Sequence, residues 1–129
     1  MSVCSGKSPL GIYDMVGENA IPQGADWDIY IKYKPDGTTM DLSAYTGRMQ
    51  VRLGYNKPII LSLSTADGSI LVGDGAADTP NVVLKFTPEM TSPVTTYTNM
   101  IYDLELVSPA GLVLKFVEGQ FELRPEVTK

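Results

Sequence analysis

The stretch 26-DWDIYIKYK-34 decides the fold. Trp27, Ile29, Ile31 and Tyr33 alternate with Asp26, Asp28, Tyr30, Lys32 and Lys34. Successive side chains of an extended chain point to opposite sides, so a period of two makes one apolar and one polar face. A helix would need apolar residues three and four apart. The stretch is predicted to be a half-buried strand with Trp27 on its core side.

The pattern repeats in both directions. In 47-GRMQVRL-53, Met49, Val51 and Leu53 point inward and Arg48, Gln50 and Arg52 outward. In 58-PIILSLST-65, Ile59, Leu61 and Leu63 oppose Ile60, Ser62 and Ser64. Val82, Leu84 and Phe86 form a third inward set, Tyr102, Leu104 and Leu106 a fourth, and Phe121 and Leu123 a fifth. Turn words separate the runs: Pro35-Asp36-Gly37, Asp67-Gly68, and Pro109-Ala110-Gly111. Proline presets the first turn angle, and Asp-Gly tolerates the positive angles of tight hairpins. Gly111 fits the last position of a turn over 108–111. Gly119 is expected to mark a kink, bulge or reversal between strands over 112–117 and 120–124.

Helix signals are confined to single turns. Residues 87-TPEMTS-92 offer Thr87 as cap, Pro88 first and Glu89 in the first turn. Residues 40–47 offer another short turn. Residues 10-LGIYDMV-16 read as an early edge strand. Short strands with turns between them predict an all-β fold: an antiparallel β-sandwich, immunoglobulin-like or jelly-roll-like. About seven to nine strands and at most short helical turns are expected. Residues 1–10 are expected to be a flexible N-terminal arm, and residues 11–129 a single β-sandwich domain.

Bulk properties bound the function. With 129 residues, one domain is expected, and 43% hydrophobic residues suffice for a core. A net charge of −5 argues against nucleic acid and an anionic membrane as partners. No long apolar run predicts a membrane span, and the N-terminus lacks the basic and apolar regions of a secretory signal. Cys4 is the only cysteine, so no intrachain disulfide is possible, and it reads as incidental to a loose arm.

The chain has no histidine, which removes the commonest general base and metal ligand. No Ser-His-Asp or Cys-His site can be built, and no phosphate-binding glycine loop is present. Neither a catalytic residue, a cofactor nor a metal is therefore expected. Asp26 with Asp28, and Asp103 with Glu105, share strand faces and could act as carboxylate pairs, but they read first as solvated faces. Asp74 and Asp78 flank a loop that could hold calcium, although it lacks the EF-hand pattern. The candidates that carry weight are interface residues: Tyr30 on a polar strand face, Arg48 and Arg52 on another, and Tyr55 near a strand end. Tyrosine offers stiff contact area with a polar tip, and arginine is enriched at interfaces. Half-buried rim packing is the structural alternative for the seven tyrosines.

Beyond these single residues, several words occur in a fixed order: Asp41-Leu42, Tyr45-Thr46, Met49-Gln50-Val51-Arg52, Tyr102-Asp103-Leu104-Glu105-Leu106 and Pro125-Glu126-Val127-Thr128. In this order the chain resembles small phage virion proteins and the N-terminal domain of phage baseplate upper proteins, over residues 22–128. The resemblance implies a non-enzymatic structural component of a bacteriophage particle, a tail, baseplate or neck adaptor that docks other virion proteins. It would be made in the bacterial host cytoplasm and act in the virion, as a homo-oligomer within a symmetric assembly. The sequence ends at Lys129 directly after the shared segment, so no appended receptor-binding domain is expected. A capsid decoration (cement) protein and a carbohydrate-binding β-sandwich module are the alternatives. Trp27, placed on the core face, argues against the sugar reading.

Overall fold

A computed structural model describes residues 11–126. The strands are β1 (Ile21–Pro22), β2 (Trp27–Ile31), β3 (Thr46–Arg52), β4 (Ile59–Ser64), β5 (Ile70–Val72), β6 (Val82–Phe86), β7 (Met100–Val107), β8 (Val113–Phe121) and β9 (Leu123–Arg124). Among the described residues, helical structure is limited to α1 (Pro88–Thr91) and short 3-10 turns, as expected for an all-β chain. Thr87 caps α1 by accepting a hydrogen bond from Met90 N, with Pro88 leading the helix.

Two antiparallel sheets face each other, one ordered β2-β6-β5 and the other β4-β3-β7-β8. The chain visits them in the order β2, then β3 and β4, then β5 and β6, then β7 and β8. That Greek-key succession is the immunoglobulin arrangement, three strands against four, and not a jelly roll. The inward faces share one core, in which Met49, Leu63, Leu104 and Phe121 meet Ile70, Val82, Leu84 and Phe86. The rings of Phe86 and Phe121 lie 5.9 Å apart across the sandwich.

The N-terminal segment runs parallel to β8 and covers its outer edge. Tyr13 N donates to Glu118 O and Met15 N to Gln120 O, both at 2.9 Å. β1 continues this pairing along β9. Gly119 makes the close approach possible, since a Cβ there would stand 2.3 Å from Tyr13 O. Pairing runs unbroken through Gly119, so the bulge or reversal expected there does not occur. The irregularity of β8 is a bulge three residues earlier, where the register passes from Leu104–Val117 to Glu105–Lys115 and leaves Phe116 extra. The extra residue lets Phe116 and Val117 both enter the core.

A second bulge corrects the reading of β4. Val51 pairs with Leu61, but Arg52 pairs with Ile59, so Ile60 is the inserted residue. Ile60 packs on the core and Ile59 is turned out. Leu53 lies beyond the end of β3 and is exposed too. Trp27 corrects a third expectation. It shares the core-side face with its partner Phe86, yet is 41% exposed. β2 is the last strand of its sheet, and among the described residues no further strand lies beyond Trp27.

The Asp-Gly turns also differ from simple hairpins. Those at Asp36-Gly37 and Asp67-Gly68 carry the chain from one sheet to the other. The 108–111 turn does close the β7–β8 hairpin, with Gly111 at φ +88°. The long crossing after β2 is fastened by buried Asn81. Its Oδ1 accepts from Tyr33 N at 2.8 Å, and its Nδ2 donates to Tyr33 O and Met40 O. Ahead of β2, Gln23 ties the chain to the segment after β6 by donating to Val94 O at 2.9 Å and Thr91 O at 3.2 Å.

Candidate functional site

A concavity on the outer face of the four-stranded sheet has a volume of about 690 Å³. Its floor is built by the outward residues of three adjacent strands: Gln50 and Arg52 of β3, Ile101 and Asp103 of β7, Glu118 and Gln120 of β8. One wall is the β3–β4 loop at Gly54, Tyr55 and Asn56, and the other is Ile12 and Asp14 of the N-terminal segment. Alternation puts the floor residues there, since their neighbours Val51, Tyr102 and Leu104 are in the core.

Arg52 holds the loop wall in place. Its guanidinium donates to Lys57 O and, at 2.9 Å, to Gln50 Oε1. Asn56 takes the left-handed turn at φ +66°, and Tyr55 is left 80% exposed at the rim. Beside the floor, and not lining it, Lys115 Nζ lies 3.4 Å from Glu118 and 3.8 Å from Asp103. Burial pushes the Asp103 carboxyl above its usual range, and Glu105 adds to this, while Lys115 opposes it. Burial alone would lower the Lys115 ammonium, but Glu118 and Asp103 outweigh it and hold the group above its ordinary value. Asp14 accepts from Gln120 N at 2.9 Å. Lys115 thus ties Glu118 to Asp103, while Arg52 and Asp14 are held by neutral partners, leaving a polar floor between an aromatic and an aliphatic rim.

The four residues singled out from sequence fall on two surfaces. Arg52 and Tyr55 meet in the groove. Arg48 shares that sheet face, but its Nε donates to the cross-strand Glu105 at 2.7 Å, and it does not line the groove. Tyr30 is on the opposite side of the molecule, on the outer face of the three-stranded sheet. There Tyr30, Val83 and Leu71 lie level across β2, β6 and β5. Tyr30 is 64% and Leu71 47% exposed. Tyr30 Oη donates to Asp28, which also receives Lys85 Nζ at 3.1 Å. Leu71 was missed, because Ile70, Leu71 and Val72 are all apolar and show no alternation. Ile12 carried no signal.

Three members of the carboxylate pairs, Asp28, Asp103 and Glu105, lie in ion pairs. Asp28 binds Lys85, and Glu105 binds Arg48. In the loop considered for calcium, Asp78 is taken up by Lys34 at 2.7 Å and Lys32 at 3.4 Å, and Asp74 accepts from Ala76 N. No cluster of three metal-ligating side chains occurs among the described residues. Cys4, the arm over 1–10 and Val127-Thr128 lie outside the described residues. No family model matches the chain, and no curated protein matches it.

Proposed function

We propose that the protein is a non-enzymatic structural component of a bacteriophage particle, a tail, baseplate or neck adaptor working through its sheet surfaces. The observation that carries the assembly role is the level row of Tyr30, Val83 and Leu71 on a sheet face turned away from the core. A solvated face of an antiparallel sheet ordinarily carries polar residues, and large exposed apolar groups in register suit a docking surface. The particle assignment is supported by the resemblance to phage virion proteins. Two of its words pair with each other on β3 and β7, where Met49 faces Leu104 and Val51 faces Tyr102. Mass spectrometry of purified particles tests the assignment. Absence of the protein from infectious particles would overturn it.

The groove favours a second reading, a saccharide-binding module. An exposed tyrosine over amide and carboxylate side chains suits a sugar's apolar face and hydroxyls. The argument from a buried Trp27 no longer opposes it, because Trp27 is exposed. NMR titration with neutral oligosaccharides tests this reading through shifts confined to Gln50, Tyr55, Asp103 and Gln120.

A further inference from the structure

The open edge of β2 has a defined hydrogen-bonding phase. Ile31 O accepts from Asn81 N, and Tyr33 N donates to Asn81 Oδ1, both toward β6. On the far side of β6, Lys85 N donates to Ser69 O. Backbone direction alternates along an antiparallel strand. Odd-numbered residues of β2 therefore turn their N–H and C=O groups to β6, and Asp28 and Tyr30 turn theirs to the open edge. Among the described residues, no strand occupies that edge.

Edge strands are usually guarded by proline, a bulge, extreme shortness or a covering segment. Here β8 is covered by the N-terminal segment, β4 carries a bulge, and β5 has three residues. β2 pairs with β6 without a register break, and no proline interrupts residues 26–34. Trp27 is half exposed, and Ile29 and Ile31 are incompletely buried beside the gap.

We infer that this edge pairs antiparallel with the same edge of a second copy, about a two-fold axis at Tyr30. The stretch DWDIYIKYK is self-complementary in that register. Asp26 falls opposite Lys34 of the second copy, and Asp28 opposite Lys32. Opposite residues share a face. On the core side Ile29 therefore meets Ile31, and Trp27 meets Tyr33, whose ring already packs on Phe116 at 5.0 Å. Tyr30 is opposite itself, so the outward N–H and C=O of Tyr30 and Asp28 meet donors and acceptors in phase. A parallel approach would set acids against acids and lysines against lysines. The union of two sheets ordered β2-β6-β5 is one continuous sheet, with the Tyr30 rows of both copies on the same face.

The pairing deepens the assembly reading and rests on it for its use, but solution association tests it alone. A monomer found in particles sinks the pairing only; a dimer absent from particles sinks the particle assignment only. Sedimentation equilibrium of the full chain should show a monomer–dimer equilibrium, with Trp27 emission moving to the blue as concentration rises. Asp26→Lys and Lys34→Asp each put like charges together at two symmetric places and should raise Kd by about tenfold or more. An equimolar mixture of the two variants should associate again, since each supplies the charge the other lacks. A parent protein still monomeric at about 1 mM, a dimer indifferent to Asp26→Lys, or a mixture that stays monomeric would each overturn the inference.

Discussion

The hydroxyl of Tyr102 donates to the carbonyl oxygen of Tyr13 at 2.6 Å, across 89 positions of sequence. Burial pushes the Tyr102 phenol far above its ordinary pKa, with Tyr13 and Asp14 adding to this, so it stays a donor at any physiological pH. Its partner strand position is Gly119, the residue whose missing side chain admits Tyr13. This hydrogen bond and the absent Cβ thus add to the backbone bonds with Glu118 and Gln120 that fasten the N-terminal segment over the edge of β8.

Tyr102→Phe should therefore cost about 1 kcal/mol, the usual worth of a hydrogen bond. Gly119→Ala should cost about 1–3 kcal/mol, because the new methyl displaces the segment's backbone. In both variants the amides of Tyr13 and Met15 should exchange faster with solvent while those of β7 stay protected. Unchanged exchange at Tyr13 and Met15 would show that the segment is held by other contacts.

Trp27 and Phe121 separate facing the core from being buried in it. Phe121→Ala should cost about 3–5 kcal/mol, as for other buried aromatics. Trp27→Ala should cost about 1 kcal/mol, because its ring lies over an uncovered edge. Chemical denaturation of both variants checks the difference. Equal losses would mean that the β2 edge is closed in solution.

The same contrast marks what could be read from sequence. Strand faces were legible because alternation records them directly, and Val82, Leu84, Phe86, Tyr102, Leu104 and Leu106 are all buried as that pattern requires. Ile59 was misread, and the place of Phe116 in the core went unread, because a bulge shifts the phase by one residue and leaves no mark in a hydrophobic pattern. Trp27 was misread because exposure depends on strand order, which no local period contains. Of the candidate site, the outward direction of Tyr30, Arg48 and Arg52 was legible. That Arg52 and Tyr55 meet Ile12 in one groove depends on residues far apart in sequence, which only the sheet order brings together.

Acid stability should report two opposed groups. The Asp67 carboxyl is held low by the Ser69 hydroxyl and N–H. A lowered folded pKa gives stability that is present above the unfolded value and lost as pH falls through the folded one. Asp67→Asn should therefore lower the melting temperature near neutrality and flatten its decline below about pH 4. Asp103 has the opposite sign, since burial raises its folded pKa and its ionised form opposes folding. Asp103→Asn should raise the melting temperature at neutral pH, with the gain fading as pH falls through the folded pKa. A gain that persisted at pH 2 would mean that ionisation is not its cause.

Arg52 and Tyr55 stand side by side at the groove yet should respond differently to truncation. Arg52 ties the β3–β4 loop to the sheet through Lys57 O and Gln50, whereas no hydrogen bond of the Tyr55 side chain occurs among the described residues. Arg52→Ala should cost about 1 kcal/mol and speed exchange of the Lys57 amide, which donates to Gly54 O within that loop. Tyr55→Ala should change stability by about 0.5 kcal/mol or less, since an exposed side chain leaves little packing to lose. If the groove binds a ligand or partner, Tyr55→Ala should weaken that binding while melting stays constant, and Arg52→Ala should reduce both together. Loss of melting temperature in Tyr55→Ala as large as in Arg52→Ala would place the tyrosine in the packing of the loop and remove it from the recognition surface.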